Sequence, residues 1–410
     1  MPNSILTPSI IANEGIMHLE NDLVIANKVH TDYSSEFTMV GDTINIDRPQ
    51  RFVGQSDNLD VSSYNEDIIE GKTTIVMNRT ETVKFKVTAK EKTLSLDKIS
   101  ERIIKPAIIV LRDRIETELA GLYPNLYHFS GSAGTTPATF LALAECGAVM
   151  TDQAVPRSSR FGIHGTTASV ALADGLKGVY VQSKAKTAFE EAEIGRYGGF
   201  MNYESVHAPV HVVGAHGGTP KVNGADQDVT YLASKDTYSQ TLATDGWTNS
   251  TTGILKAGDV FTIAGVYAVN PITRASTGRL QTFTVLADAD SGASTGPATL
   301  TISPAIIASG AWQTVDSVPA NDADIVVKTG TAGSSRPQSL MLHPNCLALV
   351  TRALDIPQGA GVKTSTKTGN RVTISCTEWI DGNTLDHNFR FDMLFGVKCL
   401  DPRLGVRLTG

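Results

Sequence analysis

The sequence predicts an α+β protein in which an all-β module interrupts a mixed domain. Three observations carry this reading: one long amphipathic helix starting at Ser95, alternating strands near both ends of the chain, and an abrupt change of composition over residues 222–335. At 410 residues the chain is long enough for two to three domains of about 150 residues each. With 41% hydrophobic residues, 19% charged residues and 36 Gly, it is turn-rich and can bury sizeable cores. That composition excludes a coiled coil, a collagen-like fibre and a disordered tail.

Residues 1–40 have weak periodicity and read as an extended arm with a short helix near 21–26. A strand is expected at 43–46, then a polar stretch at 50–71, then a strand region at 73–90. In that region Val83, Phe85 and Val87 alternate with Lys84, Lys86 and Thr88, the period of a half-buried strand. A polar excursion of about twenty residues is poor for an isolated domain and suits a loop that lies on another subunit.

The helix from Ser95 takes that residue as N-cap and Asp97 in its first turn. Leu96, Ile99, Ile103, Ala107, Leu111, Ile115, Leu119 and Leu122 form one stripe, which should stop between Gly121 and Pro124. Pro106 should kink the helix or remove one hydrogen bond. Its charges, Lys98, Arg102, Lys105, Arg112 and Arg114 among Asp97, Glu101, Asp113, Glu116 and Glu118, read as a solvated face with local ion pairs.

A second helix is expected over 137–150, with Thr136 as cap and Pro137 at its first position. Then follow a strand at 160–164, a helical stretch at 184–193, a strand at 206–213, a strand at 339–342 and a third helix at 344–354. Residues 222–335 contain no Glu, ten Asp and five basic residues, so this stretch carries −5 of the net −7. Strands at 260–264, 281–285, 298–302 and 325–328 make it a small barrel or sandwich. Near the end, Val372, Ile374 and Cys376, the turn Asp381-Gly382-Asn383, and Phe389, Phe391, Met393 and Phe395 form a hairpin. It should pair with 82–90 and pack on the long helix.

No catalytic constellation emerges. The stretch PQGAGVKT at 357–364 has Val362 where a phosphate loop needs Gly, and HExxH, GxSxG and GxGxxG patterns are absent. His207, His211 and His216 cluster in sequence, but residues four apart on a strand stand about 13 Å apart, too far to share one ion. Ser132 has no base beside it and sits in a Gly-rich turn. Cys146, Cys346, Cys376 and Cys399 are too far apart for a CxxC pair and read as reduced core thiols of a cytosolic protein. No apolar run reaches membrane-spanning length, and no Lys or Arg precedes Lys28 to begin a secretory signal. Neither a cofactor nor a metal is expected.

Three stretches carry a resemblance: AFEEAEIGRYGGFMNYESVHAPVHVVG at 188–214, SLMLHPNCLALVTRALDIP at 339–357 and FDMLFGVKCLDPRLGVRL at 391–408. Together they resemble the major capsid (coat) proteins of tailed bacteriophages, and most closely those of short-tailed phages that carry an inserted β-barrel. Residues 254–285 and 298–307 resemble that insertion, and the likeness covers roughly residue 72 to the C-terminus.

The resemblance implies the Hong Kong 97-like capsid fold, a long spine helix on an antiparallel sheet with an axial α/β domain and an extended loop. On that template residues 1–40 are the N-terminal arm and 41–80 the extended loop. Residues 81–134 and 371–410 form the peripheral domain, 135–221 and 336–370 the axial domain, and 222–335 the inserted barrel.

The function implied is assembly of an icosahedral head around double-stranded DNA, from pentamers and hexamers of the chain, in the host bacterial cytoplasm. Its partners would be scaffolding protein, portal protein, a decoration protein and DNA contacted nonspecifically; no membrane is involved. An encapsulin-type shell around a protein cargo is the main alternative, although encapsulins normally lack an inserted barrel. A surface adhesin with an acidic β-module is the second, disfavoured by the missing signal. Arg51, Arg79 and Lys84 on the loop side, and Glu190, Glu191 and Arg196 on the axial side, are the candidate subunit-interface residues.

Overall fold

Alternation and apolar stripes decide most of what is seen in a computed structural model of the chain. It describes residues 8–34, 43–54, 67–88, 103–175, 195–356, 359, 362–369, 371–384 and 386–409. The fold is α+β and divides into two units. The first holds residues 1–45, 74–120 and 347–398; the second holds 46–73, 121–346 and 399–410. Two short strands, Thr43–Asp47 and Lys72–Val76, pair with one another.

The first unit is built on a five-stranded sheet. The long strand His387–Cys399 pairs with Thr373–Ile380 and with Arg79–Val87, and Thr373–Ile380 pairs in turn with Val362–Thr368. Leu347–Arg352 completes it beside the long strand. The hairpin is as expected, and its pairing, expected with residues 82–90, is made with Arg79–Val87, while residues 89–90 lie outside the described residues. Register places Phe85 opposite Phe389 and Val83 opposite Phe391, with the Phe85 and Phe389 rings stacked at 5.4 Å. Phe391, Met393 and Phe395 are buried behind them.

The spine helix is described over Lys105–Ala120, with Ala107, Leu111, Ile115 and Leu119 buried as the stripe requires. The earlier part of the expected helix, from Ser95, lies outside the described residues. Pro106 stands in the first turn of the described helix, directly after a π turn at Ile103 and Ile104, where a missing N–H costs little. Glu116 is buried, contrary to the expected solvated face, for a reason given below.

The N-terminal stretch is not simply an extended arm. Pro8–Asp22 is a helix that packs on the spine helix and on the strands Val362–Thr368 and Thr373–Ile380. Ile11, Ala12 and Leu19 are buried on one face, while Ile10 and Met17 are 45% and 57% exposed on the other. Apolar residues on both faces hide the helical period from a sequence reading. Gly15 permits the close approach: a Cβ there would stand 3.1 Å from Ile108 Cδ1 and 3.2 Å from Ile374 Cδ1. The residues at 23–26, expected to be helical, form turns instead.

The second unit contains a six-stranded sheet in the order His128–Ser130, Gly405–Leu408, Ser339–Leu342, Phe161–His164, Phe200–Glu204, Arg196–Tyr197. Helix Phe140–Asp152 packs on Gly405–Leu408. It starts later than expected: Thr139 is the N-cap, its hydroxyl accepting from Ala142 N–H at 3.3 Å, so residues 137–139 are not helical. A helix at Thr166–Gly175 follows.

Two more expectations are corrected here. The strand at 206–213 shrinks to Val210–Val212, because residues 205–208 turn ahead of Pro209. The third helix at 344–354 is a short 3-10 turn, Pro344–Cys346, followed by strand Leu347–Arg352. Leu347, Ala348, Leu349 and Val350 are all buried, and a short run buried on both faces has no period to separate strand from helix. The helical stretch at 184–193 lies outside the described residues.

Within this unit a second six-stranded, antiparallel sheet runs in the order Ile325–Val327, Val260–Val269, Ser276–Val285, Ala298–Ser303, Gln240–Trp247, Gly218–Val222. Its end strands meet: Val222 N–H donates to Ala323 O and Asp322 N–H to Val222 O, each at 3.0 Å. Leu242, Phe261, Ile263, Phe283, Leu300 and Ile302 fill its core. The chain enters and leaves it through the paired strands Val210–Val212 and Ser335–Pro337.

Candidate functional site

Beneath that antiparallel sheet lies a buried polar junction. Strand Val210–Val212 turns its valines outward and His211 inward. The tight turn Lys256-Ala257-Gly258 brings Asp259 to the start of the next strand, facing His211. Gly258 has φ +100°, and a Cβ there would stand 3.2 Å from both His211 and Tyr123, so this turn requires glycine.

Asp259 is fully buried and accepts four hydrogen bonds, two on each oxygen. His211 Nε2 (2.8 Å) and Thr329 Oγ1 (2.7 Å) reach Oδ1; Gly214 N–H (2.9 Å) and Lys256 N–H (2.7 Å) reach Oδ2. Burial alone would raise the Asp259 carboxyl, but these hydrogen bonds, led by His211, outweigh it and hold the group below the usual carboxylate range. With Nε2 donating, His211 Nδ1 is free to accept from Tyr123 O–H at 3.0 Å. Arg407, wholly buried, donates to Gly258 O (2.6 Å), Gln338 Oε1 (3.3 Å) and Thr284 Oγ1 (3.3 Å). Burial lowers its guanidinium to about 10, which nearby Tyr123 and Asp259 partly offset. The network ties residues 123, 211, 258–259, 284, 329, 338 and 407 into one structure. With Asp259, His211, Thr329 and Arg407 buried, its chemistry is positional.

A second arrangement joins Arg48 and Arg51 to residues 231–238 and Trp312, outside the strands of that sheet. Arg48 lies over the Tyr238 ring at 3.7 Å and donates to Lys235 O at 2.6 Å. Arg51 lies over the Trp312 ring at 4.3 Å, and Trp312 stacks on Tyr231 at 4.2 Å. Stacked guanidinium–aromatic contacts of this kind are worth about 0.5–2 kcal/mol each.

The candidate interface residues separate accordingly. Arg51 is engaged with Trp312 in its own chain. Arg79 and Lys84 share strand Arg79–Val87: Arg79 pairs with Glu118 of the spine helix, and Lys84 lies over the Trp379 ring at 5.0 Å. Arg196 stands exposed on Arg196–Tyr197, and Glu190 and Glu191 lie outside the described residues. The three histidines do not converge: His211 serves Asp259, His216 Nε2 meets Gly330 O at 2.8 Å, and His207 N–H donates to Ser205 Oγ at 3.2 Å. Ser132 is an exposed turn residue whose carbonyl accepts from Thr135. All four cysteines are buried free thiols. Sequence reasoning missed Asp259, Tyr123 and Arg407. The one available signal was Arg407 itself, a charge between Val406 and Leu408 in an apolar strand.

His128 adds a pH dependence. It is buried at the wall of a 350 Å³ cleft lined also by Asp152, Arg279 and Lys328. Burial, then the Arg403 charge, lowers its imidazole to about 3, and burial likewise lowers His164 despite its bond to Asn202. Unfolding frees both to protonate near pH 6.5, so the unfolded state binds more protons below that value and stability falls as pH falls. His128 contributes a slope of up to about 1.4 kcal/mol per pH unit, about 2 kcal/mol by pH 5, and His164 acts in the same direction. A His128→Asn variant should flatten the pH dependence of urea unfolding between pH 6.5 and 4.5 by about one proton; an unchanged slope would refute this.

The comparisons with known proteins decide the family. The P22 coat protein model (gene protein 5) matches residues 4–410. The chain belongs to the P22 coat protein family. It is thus a tailed-phage major capsid protein, a structural subunit of the virion shell that assembles with copies of itself. This coat protein is 27% identical over 384 residues to the major capsid protein of Acyrthosiphon pisum secondary endosymbiont phage 1, covering 90% of the chain and 89% of that relative. Among solved structures it is similar to a chain from Mycobacterium phage Che8, at 11% identity and a TM-score of 0.46, covering 94% and 90% of the two chains. It is also similar to the CUS-3 coat protein I-domain, at 31% identity and a TM-score of 0.20, covering 28% of this chain and 98% of that one. The encapsulin-type and adhesin readings gain no support. Among the described residues no helix is long and apolar enough to cross a membrane.

Proposed function

We propose that this coat protein forms the icosahedral head in the Hong Kong 97 manner, with its antiparallel insertion as a barrel. The family match over residues 4–410 carries the reading. In this assignment residues 1–40 are the arm and 41–80 the extended loop; 81–134 and 371–410 are peripheral, 135–221 and 336–370 axial, and 222–335 the inserted barrel. The spine helix against a sheet supports the peripheral assignment, and the meeting of the insertion's end strands supports the barrel.

Heterologous contacts that close around five- and six-fold positions are what a shell subunit must make. Among the described residues the strand of Arg79 and Lys84 pairs only with His387–Cys399, and charge on such an edge discourages uncontrolled pairing. Arg196 stands opposite exposed Met201, and its neighbour Tyr197 meets exposed Phe140, an apolar group suited to burial by a neighbouring copy. Glu190 and Glu191 belong to the same proposed axial contact, and Arg51 holds the base of the loop for its neighbour. Assembly takes place in the host cytoplasm on scaffolding protein, and double-stranded DNA enters through a portal. A decoration protein would bind outside. With −5 of the −7 charge in the insertion, the rest of the subunit is near neutral and touches DNA nonspecifically.

The test is co-expression with scaffolding protein and purification of the particles that form during infection. Closed shells that protect double-stranded DNA from nuclease are expected. A protein cargo without DNA would favour the encapsulin-type reading, and a chain that stays monomeric with scaffold present would refute assembly.

A further inference from the structure

The chain leaves the second unit after Cys346 and returns to it at Cys399. At this point Leu400 N–H donates to Cys346 O at 2.8 Å, so the outgoing and returning backbones run side by side at sheet-like spacing. Neighbouring residues at such spacing fall within the Cα separation a disulfide requires, about 4.4–6.8 Å. Both side chains are buried, Cys346 at 0% and Cys399 at 8% exposure. Burial first, and then the Cys399 thiol beside it, push the Cys346 thiol well up, so Cys346 stands protonated and slow to react in a reducing cell. Cys146 lies in helix Phe140–Asp152 and Cys376 in strand Thr373–Ile380.

We propose that Cys346 and Cys399 are an oxidisable dithiol, which closes residues 347–398 into one covalent loop when the virion meets an oxidising medium. Each Sγ–H loses its proton and one Sγ–Sγ bond forms. The two electrons and two protons pass to a two-electron acceptor, dioxygen outside the host being reduced to hydrogen peroxide. A cross-link here shortens the unfolded chain's freedom across the whole excursion. Because the thiolate is the attacking form, oxidation should be faster at pH 8.5 than at pH 7.

The probe is diamide, whose N=N bond takes up the two electrons and two protons to become a hydrazine. The native, full-length coat protein is treated at pH 8.5, quenched, denatured and titrated for thiols. Wild type should fall from four thiols to two, and tryptic mapping should recover a peptide linking residues 346 and 399. Cys146→Ser should fall from three to one, while Cys346→Ser and Cys399→Ser should each keep three. Four surviving thiols in wild type, a different linked pair, or loss of two thiols in Cys346→Ser would overturn the proposal. If either Ser variant fails to fold, the wild-type peptide map decides alone.

Discussion

An Asp259→Ala variant should lose about 3–5 kcal/mol of unfolding free energy, the usual cost of removing one partner from a buried charged network. The substitution deletes the acceptor for His211, Thr329 and two backbone N–H groups at once, and His211 and Thr329 are buried. It should also depress shell yield, because the junction connects the insertion to the strands Val210–Val212 and Gly405–Leu408 through His211 and Arg407. Asp259→Asn keeps one oxygen and should cost less. Equilibrium urea unfolding of the two variants beside wild type measures both values. A loss under 1 kcal/mol for the Ala variant would show that the network is not what fixes this turn. The Asp259 carboxylate is held below its unfolded-state range, so the stability it supplies is present above about pH 4 and is lost as pH falls below that.

The second large effect belongs to the first unit. Glu116 Oε1 accepts from Val24, Ile25 and Ala26 N–H at 3.0, 3.0 and 3.1 Å, and Oε2 from Ile25 N–H at 2.9 Å. A buried carboxylate on the spine helix therefore gathers the donors of the turn that follows the N-terminal helix. Glu116→Ala strands those N–H groups and should cost about 2–4 kcal/mol, with hydrogen exchange at residues 23–30 rising first. Glu116→Gln should retain part of the stability. Unchanged protection at 24–26 in the Ala variant would contradict the assignment.

What the sequence made legible follows from the range of the forces involved. The alternation of Val83, Phe85 and Val87, and of Phe389, Phe391 and Met393, announced two strands that do pair, because a half-buried strand writes its period into adjacent residues. Residues 347–350 announced nothing of the kind, being buried on both faces, and were read as helix. Exposed Ile10 and Met17 similarly blurred the helix Pro8–Asp22. The junction was illegible for another reason. Two of Asp259's four donors are backbone N–H groups, and the other two, His211 and Thr329, lie 48 and 70 residues away, so no local motif encodes it. Glu116 looked like an ordinary helix-surface charge for the same reason: its partners are backbone groups some ninety residues earlier.

The most direct measurement is a cryo-electron microscopy reconstruction of the particles that the full chain forms with its scaffolding protein. The expected result is an icosahedral shell of pentamers and hexamers, each subunit bearing an extra module that fits residues 222–335 and is rooted where Asp259 meets His211. Monomers or open aggregates, or a shell whose subunits lack that module, would contradict the account.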